Sequence, residues 1–165
     1  MQDTWLGDYR DHVRPEWIDY NGHMNVAYYV LAFDRASDVM FDRIGLGHAH
    51  REATNHGFFV VEAHVIYGRE VLEGDPLRFE CWVVETGERK IRYFLEMFHA
   101  EKGYRAAAAE FIGLNVDLGT RRSAPFPAAL RGRLDEAVAR DRARGLPAEI
   151  GRAIGQPRPP KSERT

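Results

Sequence analysis

Two periods divide the chain. From position 26 onward, Val26, Tyr29, Val30, Phe33, Ser37, Met40, Phe41 and Ile44 recur at three- and four-residue spacings, while Asp34, Arg35, Asp38 and Asp42 take the opposite face. That spacing predicts an amphipathic helix over 26–43, about 27 Å long. Glycines at 45 and 47 supply its C-terminal cap. From Gly57 the period becomes two. Phe59, Val61, Ala63, Val65 and Tyr67 share one face, and Phe58, Val60, Glu62, His64 and Ile66 the other. Three more alternating runs follow at 77–84, 91–99 and 104–116, separated by short glycine-containing turns. Such spacing predicts an antiparallel meander of four long strands.

Around this centre the signals are weaker. Positions 8–18 mix charge with Tyr9, Val13, Trp17 and Ile18, which predicts a first strand interrupted by Pro15. Residues 48–57 are expected to be a polar loop. Its His48, His50 and His56 lack the frame of a metal site, and no metal is expected. Leu130, Leu134 and Val138 mark a second amphipathic helix over 128–144. The tail 156–165 has nothing to bury and is expected to be disordered.

These elements imply an α+β fold in which a curved antiparallel sheet of about five strands wraps a long central helix, with a C-terminal helix added. The expected organisation is a main domain over 1–118, a linker and helical extension packed on it over 119–155, and the tail. A sheet edge left bare in such a fold calls for a partner, and a homodimer or dimer of dimers is expected.

Composition narrows the setting. Apolar residues at 44% and charged residues at 29% describe an ordinary globular protein, and no run is long enough to span a bilayer. Positions 1–5 lack the basic start and apolar run of a secretory signal. Cys81 is the only cysteine, which excludes an intrachain disulfide and points to the cytoplasm. The net charge of −2 hides an asymmetry: 12 Lys+Arg against 20 Asp+Glu over 1–118, but 11 against 5 over 119–165. That basic stretch is nearly all arginine with no RNA- or DNA-binding motif, so a nucleic-acid partner is not expected.

The chemistry gathers in one run, Asp19-Tyr20-Asn21-Gly22-His23-Met24-Asn25, immediately before the long helix. Asn21-Gly22 is a turn dipeptide. A helix start offers free backbone N–H groups and a partial positive charge, a natural seat for a developing oxyanion. Asp19, the only carboxylate of the run, could act as general base, attack as nucleophile, or simply cap the turn. His23 could polarise, orient or pack, and Asn25 could bind substrate or serve as the helix N-cap.

This run, with a strand before it and a helix after it, resembles the signature of the hotdog-fold acyl-CoA thioesterases of the 4-hydroxybenzoyl-CoA thioesterase-like group: an aspartate, two variable residues, then Gly-His-x-Asn. The likeness extends through about Val116. Val61-Glu62-Ala63-His64-Val65-Ile66-Tyr67 and the stretch 146–155 are similar to the betainyl-CoA thioesterases associated with carnitine dehydrogenase. The resemblance implies hydrolysis of an acyl-CoA, with Asp19, His23 and Asn25 at the reaction centre and the Val26 N–H as oxyanion donor. Coenzyme A would be part of the substrate, and no cofactor is implied.

A betaine acyl group carries a quaternary ammonium, which aromatic faces hold, often beside a carboxylate. Trp17, Tyr20, Tyr28 and Tyr29 flank the run, with Tyr29 expected in the core; Glu62 is a candidate anion, and Glu62 and His64 could pair with each other or reach a neighbouring subunit's site. For the CoA phosphates the candidates are Arg69, Arg89, Lys90 and Arg92, or the basic C-terminal stretch. Two other readings stand beside this one: a hotdog hydratase or dehydratase, which wants a different Asp/His spacing, and a non-catalytic acyl-CoA-binding module.

Overall fold

A computed structural model describes residues 5–157. The expected tail from 158 on, and positions 1–4 of the amino-terminal segment, lie outside the described residues. The elements are β1 (Arg10–His12), a single 3-10 turn (Pro15–Trp17), α1 (Val26–Ile44), α2 (His48–Thr54), β2 (His56–Tyr67), β3 (Pro76–Thr86), β4 (Lys90–His99), β5 (Arg105–Asp117), β6 (Arg122–Ser123) and α3 (Ala128–Arg144).

Helix α1 is the buried spine. Its Tyr29, Ala32, Phe33, Ala36, Met40 and Ile44 are buried against the concave side of the sheet. Phe33 meets Phe79 and Phe111 edge-on, and Phe41 meets Phe58 and Tyr93. Gly45, at φ +91°, ends the helix in the left-handed cap that only glycine adopts cheaply.

The sheet runs in the order β1-β3-β4-β5-β2, with β6 added beside β5. Only β3, β4 and β5 form the expected meander. β2 pairs with β5 rather than β3, because the stretch 68–75 between them is too long for a hairpin and carries the chain across the start of α1. The first strand shrinks to three residues, since Pro15 removes a donor and opens a 3-10 turn instead. The expected polar loop at 48–57 is largely helix α2, ended by Asn55 in the left-handed conformation.

A bulge changes the faces of β2. The register slips between Val60 and Glu62, so Val61 is absorbed without a partner and the alternation restarts. Phe58 therefore shares the concave face with Ala63, Val65 and Tyr67, and Glu62, His64 and Ile66 lie on the convex side. The expected grouping of Phe58 and Val60 with Glu62 and His64 assumed an unbroken strand. Gly113 accommodates the change: a Cβ there would sit 2.3 Å from the Phe58 ring.

The two edges of the sheet are treated differently. α3 covers the open part of β3, where the fully buried Asp141 accepts the Val83 N–H at 2.7 Å and the Trp5 indole N–H at 2.8 Å. The Arg144 guanidinium donates to the Cys81 carbonyl. Leu130, Leu134 and Ala137 of α3 join the same core as α1. The segment after α3 then straps the convex face: Gly145 O accepts from the Trp82 indole at 3.1 Å, Ile150 packs on Trp82, Val84, Phe94 and Ala108, and Glu149 pairs with Arg105. β2, at the other edge, has no strand beyond it among the described residues.

Candidate active site

The Asp19 turn is built by its backbone. Ile18 and Met24 pair antiparallel, the Asp19 N–H donates to His23 O at 3.1 Å, and the Gly22 N–H donates to Asp19 O at 3.0 Å. Gly22 stands at φ +80°, which explains the Asn-Gly dipeptide. The turn is tied to the body at two points: Asn25 N–H to Trp17 O at 2.9 Å, and Met24 N–H to Val71 O at 3.0 Å.

The side chains are oriented by the same frame. Asp19 Oδ1 accepts the Asn21 N–H at 2.8 Å, and Oδ2 faces the Asn25 amide nitrogen at 3.4 Å. Asn25 is also the N-cap of α1, its Oδ1 accepting the Ala27 N–H at 3.0 Å. Capping and contact with the carboxylate are thus two ends of one amide. The Val26 N–H, next in line, has no acceptor among the described residues and belongs to a residue 57% exposed. His23 is half-buried with Nδ1 3.1 Å from Met24 O; a proton on Nδ1 makes that bond and leaves the Nε2 lone pair available. No acidic residue occupies the first turn of α1, so Asp19 is the carboxylate at this helix start.

The structure therefore gathers Asp19, His23, Asn25 and Val26 at the mouth of α1, with Tyr20 on the turn, fully open at 97% exposure. Trp17 is buried, stacked on Tyr28 at 5.7 Å, with the guanidiniums of Arg14 and Arg35 at 4.9 and 5.4 Å from its ring. Glu62 and His64 are not brought to this place within one chain. They line a cleft of about 480 Å³ on the convex side, with Glu85, Arg92, Glu110 and Ile154. The Asp19 turn lines neither that cleft nor the smaller one beside Ile150 and Arg152.

The basic candidates have partners already. Arg69 lies over the Tyr104 ring at 4.2 Å, Arg89 donates to Ser123 O at 2.9 Å, Lys90 pairs with Glu85 at 3.1 Å, and Arg92 pairs with Glu110. Among the histidines, His48 faces Glu52 at 3.4 Å, and His56 Nδ1 lies 3.0 Å from the amide of the fully buried Asn115. No cluster of three or more His, Cys, Asp or Glu able to hold a metal occurs among the described residues, and no helix there is long and apolar enough to cross a membrane. Sequence reasoning set Tyr29 in the core, where it lies, and passed over Val71, whose carbonyl braces the turn; nothing in the spacing marks a backbone carbonyl 47 positions from the residue it holds.

The model of the thioesterase-like superfamily matches residues 13–134, a span that takes in the Asp19 turn, α1 and every strand from β2 to β6. The chain belongs to that superfamily. This thioesterase-like protein is 33% identical over 152 residues to the betainyl-CoA thioesterase of Pseudomonas aeruginosa, covering 92% of this chain and 96% of that one. It is 32% identical over 146 residues to the L-carnitine dehydrogenase/betainyl-CoA thioesterase of Rhizobium meliloti, covering 88% of this chain but 29% of that longer protein. A Staphylococcus aureus protein solved in complex with CoA superposes with a TM-score of 0.80 at 25% identity, covering 90% of this chain and 94% of its own. A Pseudomonas putida structure described as a putative thioesterase gives 0.75 at 31% identity, covering 91% and 96%. The fold is the hotdog fold of these thioesterases.

Proposed function

We propose that this thioesterase-like protein hydrolyses an acyl-CoA thioester to the free acid and CoA, and that the acyl group is betaine. The observation that carries the mechanism is the Asn25 amide, which holds the Asp19 carboxylate beside the start of α1 while the Val26 N–H stays free. The thioester carbonyl oxygen takes the Val26 N–H, and the negative charge that develops there is met by the helix end; such a donor lowers the barrier by about 2.7–4 kcal/mol. Asp19 then either takes a proton from the attacking water or adds to the carbonyl itself, giving a mixed anhydride that water opens. The thiolate of CoA leaves and collects the proton. His23, with Nε2 open, orients water or the carbonyl. CoA is part of the substrate, and the reaction calls for no further cofactor.

Several features support a second copy of the chain beside the first. Val26, Val30, Val60, Val61, Tyr67 and Leu72 are exposed, and β2 has an edge that no strand among the described residues pairs with. Pairing two β2 edges covers these apolar groups and closes the mouth of α1, which is open in one chain, as a homodimer or a dimer of dimers. It also brings the neighbour's β2, carrying Glu62 and His64, up to the shared boundary. On this reading residues 1–118 are the thioesterase domain, 119–155 its extension, and the setting is the cytoplasm.

The likeness to the Pseudomonas aeruginosa enzyme over nearly the full length of both chains supports betaine as the acyl group. Tyr20, on the turn, and Tyr28, in the first turn of α1, have surface to offer a trimethylammonium, and each such contact contributes about 0.5–2 kcal/mol. The test is free-thiol release from betainyl-CoA and from 3,3-dimethylbutanoyl-CoA, its uncharged isostere. Faster turnover of the cation is expected. Equal rates would remove the betaine assignment and leave the hydrolase reading in place.

A further inference from the structure

The chemistry of a betaine acyl group limits where its cation can be held. One methylene joins the quaternary nitrogen to the thioester carbonyl carbon, so the two lie about 2.5 Å apart. An aromatic ring holds such a cation from within about 6 Å of its centroid. Any ring that does so therefore stands beside the residue whose N–H takes the carbonyl oxygen, Val26 on the reading above.

Tyr67, the last residue of β2, stands there. Its hydroxyl donates to Val26 O at 3.4 Å, and its ring meets Tyr29 at right angles, 5.2 Å between centroids. Tyr29 is 4% exposed, so one wall of this corner is fixed in the core, while Tyr67 keeps 42% of its surface open. The end of the strand is fixed too: the N–H groups of Gly68 and Arg69 both donate to Ala106 O, at 2.8 and 3.2 Å. Val26 and Val30, four residues apart and so on one face of α1, are exposed beside it, as is Ala63 on the same face of β2. The result is a small apolar corner with one open aromatic ring, next to the N–H at the helix start.

We propose that Tyr67 is a specificity-determining residue, whose ring, anchored to Val26 by its hydroxyl, takes the trimethylammonium of the acyl group. The inference rests on the betainyl-CoA reading above. Tyr28 lies about 200° round the helix from Val26 and stacks on Trp17 at 5.7 Å, so Tyr67 supplies an aromatic wall on the Val26 side that Tyr28 does not. A trimethylammonium offers no N–H to a hydrogen-bond acceptor, and it buries the same apolar surface as the tert-butyl group of the uncharged isostere. What separates the two is the pull of the negative ring face on the cation.

The experiment compares kcat/KM for betainyl-CoA and for 3,3-dimethylbutanoyl-CoA in the unsubstituted protein, Tyr67→Phe and Tyr67→Leu, with thermal unfolding as a control. Tyr67→Phe keeps the ring face, and the ratio of the two substrates should stay within about twofold. Tyr67→Leu should cut that ratio about 3- to 30-fold, with the neutral thioester turned over within a few-fold of the unsubstituted rate. Replacing Tyr67 by pentafluorophenylalanine keeps the shape of the ring and reverses the charge on its face, so it should cut the ratio even if Tyr67→Leu folds poorly. A ratio that survives both ring changes, or equal losses on the two substrates, would overturn the proposal and leave betaine as the acyl group. A ratio that falls as far in Tyr67→Phe as in Tyr67→Leu would overturn it in favour of the hydroxyl. No preference for the cation in the unsubstituted protein would remove the betaine reading and this inference together.

Discussion

The Asp19 turn and the Glu62–His64 stretch of β2 each set an acid beside a histidine, and the fold treats them in opposite ways. In the turn, one Asp19 oxygen is fixed by a backbone N–H and the other by the Asn25 amide, and the loop is clamped from Trp17 and Val71. On β2, neither Glu62 nor His64 makes a side-chain hydrogen bond among the described residues, and Glu62 is exposed. Closeness in sequence is common to both. What separates them is a backbone that fixes the acid in place and a helix start with an unused donor, and only the turn has these.

The comparison breaks most readily at the acids. Asp19→Ala should lower kcat/KM by about 100- to 10,000-fold, the range for a positioned acid–base group, whereas Glu62→Ala should stay within a few-fold in thiol release. A larger loss at Glu62 than at Asp19 would reverse the assignment. Asn25→Ala comes next. It removes both the cap and the contact with Asp19, so kcat should fall about tenfold, with about 1 kcal/mol of stability lost from the cap; a stability loss without a kcat change would make Asn25 a cap alone.

Val61→Lys places a charge at the bulge of the open edge, where Val61 is 57% exposed. Sedimentation should show a smaller particle and turnover should drop several-fold, whereas Asp135→Lys on the covered side should leave the particle size unchanged. The smallest effect is at His50. Burial, helped by the nearby His56 and Arg133, holds it below its ordinary value of 6.5. As pH falls through 6.5 the unfolded chain takes up a proton that the folded chain resists, so this contribution to stability is present above 6.5 and declines on acidification. His50→Gln should flatten the pH dependence of the unfolding midpoint between 7 and 5 slightly; an unaltered slope would show that His50 contributes nothing to it.

Local patterns were legible because local physics decides them. The helix at 26–43 and the helix at 128–144 follow from apolar spacing, and α3 spans Ala128–Arg144. The Asp19 turn was readable because Asn-Gly demands it and because α1 must start with a cap. Strand order was not readable: whether β2 lies beside β3 or β5 depends on a crossover whose length, not composition, rules out a hairpin. The faces of β2 were lost for a different reason, a one-residue bulge at Val61 that leaves no mark in the alternation. The brace at Val71 was invisible because it acts through peptide groups, which the side chain does not report.

The most direct measurement is made on Asp19→Asn, which keeps the shape of the side chain and removes its charge. CoA binding by calorimetry and thiol release from betainyl-CoA are followed on the same folded sample. Binding close to that of the unsubstituted protein with turnover reduced at least 100-fold is the predicted result. Turnover that survives the substitution would contradict the assignment of Asp19 to the reaction.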